Sequence, residues 1–212
     1  MQSIFEVQVS VPAGEQGLAR IEKFKVSEED SQFSRLRAMM HPDAYVRPGE
    51  YTRLYVGRTL MMSDTAMERR SNYDFVRNSH GHVLVAGLGI GLILEAILDK
   101  PEVESVTVIE KYQDVVNLVA PNLLAKYPDK LKVITADILD WRPSKGTLYN
   151  VIYFDIWPTI CTDNLKDMEK LHRAFARKLN RTDPRAWMDS WQRAFLKRQK
   201  ATMSQRRNKY TY

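Results

Sequence analysis

Val83-Leu84-Val85-Ala86-Gly87-Leu88-Gly89-Ile90-Gly91-Leu92 is the stretch that decides the fold of this 212-residue chain. A short apolar run from His82 to Ala86 ends in three glycines at alternate positions, and an apolar segment, Leu92 to Leu98, continues as a helix. A strand that turns through glycines into a helix is the opening of a β-α-β unit. The glycines let the backbone approach a ligand closely and expose amide groups at a helix N-terminus.

Working outward from that turn, the pattern repeats. Ser105 to Ile109 is predicted as a strand ending at Glu110, and Asp114 to Lys126 as a helix that Pro121 ends or kinks. Leu131 to Thr135 reads as a strand ending at Asp137, and Asn150 to Phe154 as one ending at Asp155. Such alternation predicts a parallel sheet with helices on both faces, an α/β, Rossmann-like doubly wound domain over residues 63–180. Before it, residues 1–62 predict a small antiparallel β element: a hairpin over 3–26, a short helix from Ser31 to Met40, and a hairpin over 51–62. Asp64 is placed to cap a helix running to Val76. After Asp155 the expectation is helical throughout, with no strand beyond residue 160. Thr162 or Asp163 opens a helix with Leu165, Met168, Leu171, Phe175 and Leu179 on one stripe. Asp183-Pro184 opens another, with Trp187, Trp191 and Phe195 on its packing face. Residues 181–212 thus read as a basic C-terminal helix and tail.

Composition narrows the function classes. The chain is 44% hydrophobic and 27% charged, the balance of a globular protein with a buried core. No apolar run approaches the roughly 20 residues of a membrane span, and Met1 to Ser10 lacks the basic-then-apolar build of a signal peptide. Cys161 is the one cysteine, which makes the cytoplasm the expected compartment and an inert thiol its expected role. The four histidines show no metal-ligand spacing, and no protein-bound metal is expected. Residues 1–165 hold 18 Lys/Arg against 22 Asp/Glu, whereas residues 166–212 hold 14 against 4. All the excess positive charge therefore lies in the last part of the chain, where nucleic acid, an acidic partner or an anionic surface would meet it.

In open parallel sheets, ligands bind beyond the carboxyl ends of the strands. Here four strand ends carry the glycine turn, Glu110, Asp137 and Asp155, so three carboxylates and a turn share one rim. Glu110 lies 23 residues past Gly87, as expected of an acid that grips ribose hydroxyls. Asp137 is placed to accept from an exocyclic amine such as that of adenine. Together they describe a nucleoside site. A dinucleotide fingerprint would require a small residue at position 92, where this chain has Leu92, and that spacing argues against NAD.

The segments Val83 to Gly91, Val108-Ile109-Glu110, Thr135-Ala136-Asp137 and Val151 to Asp155 resemble the class I S-adenosylmethionine-dependent methyltransferase superfamily, in its spermidine-synthase-like branch. The resemblance covers about residues 51–180. The surroundings of Asp155-Ile156-Trp157-Pro158 also resemble phage-associated relatives of that branch. It implies S-adenosylmethionine as cofactor, with Gly87, Gly89 and Gly91 around its methionine and ribose parts and Glu110 on the ribose hydroxyls. Asp137 and the Ile138 amide would recognise adenine, and Asp155 would face the reacting centre as the catalytic residue. The implied activity is methyl transfer to an acceptor that no motif identifies. Two alternatives stand beside it: aminopropyl transfer from decarboxylated S-adenosylmethionine, and a non-catalytic nucleoside- or partner-binding protein. Polyamine aminopropyltransferases carry a second acid three residues after the catalytic one, where this chain has Pro158, and a Tyr-His-Glu motif where it has Glu68-Arg69-Arg70. The N-terminal strands leave pairing into a homodimer open.

Overall fold

The computed structural model describes residues 3–39 and 45–209, with the side chains of 206–209 excepted. Among the described residues, two sheets form. The first is antiparallel, in the order β1 (Gly14–Gln16), β2 (Ala19–Val26), β3 (Gly49–Val56) and β4 (Thr59–Ser63), with α1 (Glu28–Ala38) between β2 and β3. Helix α1 starts at a capping box in which Ser27 and Asp30 bond each other's amides. Two short helices, α2 (Ala66–Ser71) and α3 (Tyr73–Asn78), lead into the main domain. There β5 (Gly81–Ala86), α4 (Leu92–Leu98), β6 (Val103–Glu110), α5 (Gln113–Lys126), β7 (Leu131–Thr135), β8 (Val151–Phe154), α6 (Asn164–Phe175), β9 (Trp187–Ser190) and α7 (Arg193–Lys209) follow in turn.

The second sheet has the order β7-β6-β5-β8-β9, and every pairing in it is parallel. Side chains alternate between its two faces as a pleated strand requires. Val83 and Val85 of β5, Val106 and Val108 of β6, and Val151 and Tyr153 of β8 belong to one core with α4 and α5. Leu84, Ala86, Ile109, Ile152 and Phe154 belong to the other, with α6 and Leu196 of α7. The sheet is therefore wound on both faces. Chain order reverses between β5 and β8, which places a crevice at their carboxyl ends, where the glycine turn and Asp155 lie.

Several expectations shift. Ile4, Val7 and Val11 are buried in the core, yet form no strand; the first hairpin is β1–β2, about Gly17-Leu18. Asp64 caps nothing. Its Oδ1 accepts from the Thr52 amide at 2.7 Å, and Thr65 takes the cap position of α2. The expected single helix breaks in two at Asn72, whose side chain bonds the Glu68 carbonyl. Pro121 neither ends α5 nor interrupts its assignment, since the helix runs to Lys126. The helix predicted from Ser31 to Met40 starts earlier, at Glu28, and Met40 to His41-Pro42 lie outside the described residues.

The largest departure is at Asp183-Pro184, which opens no helix. Residues 187–190 are β9, pairing Val151 with Trp187 and Phe154 with Ser190. Trp187 and Trp191 do belong to one core, Trp187 packing on Phe75 and Tyr153, while Met188 packs in the opposite one. A spacing of four is common to the helical period and to the strand period of two, so the tryptophans alone cannot distinguish them.

Candidate active site

A cavity of about 320 Å³ opens at the carboxyl ends of β5, β6, β7 and β8. Gly87 lies at its floor with φ +104°, and a side chain there would collide with the Asp155 carbonyl oxygen of the neighbouring strand. Glycine at 87 thus allows β5 and β8 to close together beneath the crevice. Gly89 lines the cavity as well; Gly91 does not, and serves instead as the left-handed residue that starts α4 beside Leu123.

Glu110, Asp137 and Ile138 come together on one side. Glu110 is buried, and its two carboxylate oxygens accept from the Leu88 amide at 2.8 Å and the Tyr112 amide at 2.9 Å. Burial raises its pKa above the usual range against the pull of those amides. A carboxylate offers about four acceptor sites, so capacity remains for a hydroxyl donor from the cavity. Asp137 accepts from the Leu139 amide at 2.9 Å and pairs with Lys111 at 3.0 Å. Burial works against its ionisation, but the amide and Lys111 outweigh it and hold its carboxyl below the usual range. The Ile138 amide, in a buried residue, and the Gly89 amide have no acceptor among the described residues. Both residues line the cavity.

On the opposite side lie Asp155, Trp157, Pro158 and two residues that the sequence did not single out for this role. Glu68 reaches the cavity from α2, and Trp191 from the end of β9. Asp155 is half-buried, facing the cavity, and burial pushes its pKa up to about 7. Glu68 is buried, and burial together with the negative charge of Asp155 pushes its pKa up to about 8. Burial thus holds both carboxyls toward their protonated forms, and a charge on Asp155 further disfavours ionisation of Glu68. The pair is placed to take up or give away a proton near neutrality.

The antiparallel sheet roofs the cavity with Leu54, Val56, Thr59, Met61 and Met62. Met62 packs its sulfur against Gly89 and accepts from the Ile90 amide at 3.3 Å. A thioether is a weak acceptor on a flexible stem, so an anionic ligand group can displace it from the glycine turn. Tyr112 lines the rim beside Glu110.

No protein-family model matches the chain. No curated protein matches it either. Among solved structures, it is similar to the plantazolicin methyltransferase BpumL in complex with SAH, at 20% identity and a TM-score of 0.36 over 51% of this chain and 38% of that one. A spermidine synthase from Thermotoga maritima matches at 13% identity and a TM-score of 0.47, over 79% of this chain and 52% of that one. An S-adenosylmethionine-dependent methyltransferase from Clostridium acetobutylicum matches at 18% identity and a TM-score of 0.35, over 50% and 41%. This chain thus spans about half the length of these neighbours, or less. Two of them are named as methyltransferases and one as a spermidine synthase.

The predicted residues Gly87, Gly89, Glu110, Asp137, Ile138 and Asp155 all line one cavity, and Gly91 stands behind it. Among the described residues, no three His, Cys, Asp or Glu side chains gather as a metal site.

Proposed function

We propose that the protein is an S-adenosylmethionine-dependent methyltransferase acting on a nitrogen or oxygen nucleophile. The observation that carries this reading is a single cavity with two chemically different ends: hydroxyl and base acceptors with free amides at one, a proton-holding carboxyl pair at the other. When bound, S-adenosylmethionine supplies a methyl group activated by a sulfonium. Glu110 would hold the ribose hydroxyls, while Asp137 and the Ile138 amide would hold the adenine edge. The Gly89 amide, with that of Ile90 once Met62 moves, would take the carboxylate. Asp155 accepts the proton that an amine or hydroxyl acceptor must lose, and Trp157 and Trp191 exclude water around it. Positioning and electrostatics at this end supply the acceleration.

Glu68 favours a second reading. A second carboxyl, which the sequence lacks at Pro158, lines the same cavity from α2, and two carboxyls would suit a cationic amine acceptor. Aminopropyl transfer from decarboxylated S-adenosylmethionine is that reading, and the product separates the two. Calorimetric titration with S-adenosylmethionine, S-adenosylhomocysteine, decarboxylated S-adenosylmethionine and NAD tests the cofactor. We expect binding of the first two, at micromolar level or tighter, and none of NAD. Glu110→Ala should weaken that binding by at least about tenfold, the loss of a charged acceptor, whereas Asp155→Asn should spare binding and remove turnover. Equal affinity in wild type and Glu110→Ala would sink the assignment. Preference for the decarboxylated form, with methylthioadenosine as product, would establish the second reading; silence with all four would point to a non-catalytic protein.

A further inference from the structure

Helix α6 turns Leu165, Met168, Leu171 and Phe175 into the core. Directly opposite, at spacings of four, three and four, stand Lys166, Lys170, Arg173 and, just past the helix, Arg177. All four are exposed, and none forms an ion pair with a described residue. At about 1.5 Å per helical residue the row is roughly 16 Å long.

Helix α7 adjoins it. Leu196 joins the α6 core cluster, but Lys200 and Met203, one and two turns along the same face, are exposed. The helix is thus anchored by its first turns and then overhangs the body. The described cations Lys197, Arg198 and Lys200 are exposed on it, and no acidic residue occurs in the chain after Asp189. A free helical end of this length is marginal in water and gains from a partner that neutralises it.

We infer that the α6 stripe and the overhanging α7 form a docking surface for the phosphate backbone of a nucleic acid. Seven exposed cations, four in a row on the α6 face and three on the neighbouring α7, suit a polyanion whose bound counterions they would release. A membrane surface is a poorer fit, because the described part of α7 exposes only Phe195 and Met203 as large apolar groups and α6 exposes none. An acidic protein would need an apolar anchor at the centre of the contact, and the stripe has none. Lys170 lies close enough to help hold Asp137 ionised, and Trp191 of the cavity stands two residues before α7, so the surface borders the cavity. The inference rests on the surface alone and not on the reading of the cavity.

Fluorescence polarisation without cofactor tests it, using a labelled single strand of about 20 nucleotides and the matching duplex between about 50 and 200 mM salt. Wild type should bind one or both with a steep loss of affinity as salt rises. Lys166→Gln/Lys170→Gln/Arg173→Gln and Lys197→Gln/Arg198→Gln/Lys200→Gln should each weaken binding by about tenfold or more and lower the salt slope by about 2–3. Lys25→Gln/Lys132→Gln, which removes exposed charge elsewhere, should bind as wild type does. All these side chains are exposed, and circular dichroism confirms that each variant is folded. No binding by wild type, or wild-type binding by both triple variants, would overturn the inference. So would equal capture by phosphatidylserine vesicles or polyglutamate.

Discussion

Glu68 enters the cavity from a segment that the sequence gives no reason to place there. Strand ends announce themselves because an apolar run stops at a polar residue, which is how Glu110, Asp137 and Asp155 were legible. Glu68 sits in a six-residue helix among arginines, and nothing local tells a buried acid from a solvated one. Its burial follows from tertiary packing: Arg69 beside it donates to the carbonyls of Asp64, Ile4 and Val7 and fixes α2 against the body. The pair it makes with Asp155 has a pH signature. Both carboxyls titrate higher in the folded chain than unfolded, so they favour folding fully below about pH 4. That contribution is lost as pH rises through 7 to 8. Urea midpoints at pH 5 and pH 8 check it. Wild type should lose more stability over that interval than Glu68→Gln does, and parallel curves would show that Glu68 is ionised in the folded protein.

At the level of elements, the sheet was readable as far as β8 and misread at β9. Strand β8 and the Val83 to Ala86 part of β5 are buried on both faces, as central parallel strands are. Strand β9 is an edge strand of four residues with Asp189 inside it, and its place is fixed by long-range bonds. Asp183, just before it, accepts from Asn150 Nδ2 and His80 Nε2, both at 2.7 Å, and from the Arg185 amide at 2.9 Å. Asn150 and the other two donors hold the Asp183 carboxyl well below the usual range. Trp191 then donates through Nε1 to Ser71 at the far end of the strand. Asp183→Ala should lower Tm by about 5 °C and speed hydrogen exchange in β9 ahead of β5. Since the depressed carboxyl gives its contribution above about pH 4 and loses it on acidification, wild type and variant should converge in acid. An unchanged exchange pattern in β9 would mean that pairing with β8 alone seats the strand.

Across the whole molecule, the cavity is a seam between two sheets. The parallel sheet supplies its polar floor and the antiparallel one its apolar roof; the Leu18–Asp114 bond ties the β1–β2 turn to α5, while Arg69 and the Ser10–Glu95 bonds fasten the N-terminal segment to α2 and α4. The sequence showed both sheets but not their docking, because Leu54, Val56 and Met62 look the same whether a strand covers a core or a ligand. A ligand in the seam ties both sheets, and S-adenosylhomocysteine at about 100 times its Kd should raise Tm by about 5–10 °C. Differential scanning calorimetry would show it, and an unmoved transition would mean that the ligand does not enter. The seam also sets an order on synthesis. The antiparallel sheet is built from pairings local in the chain and is complete at Ser63, whereas the floor awaits β8 and its last wall, Trp191. Until the strands of the floor have been made, that roof has nothing to cover, and its methionines and leucine would face water. The surface that later meets a ligand is thus the one that the growing chain must first keep from sticking to anything else.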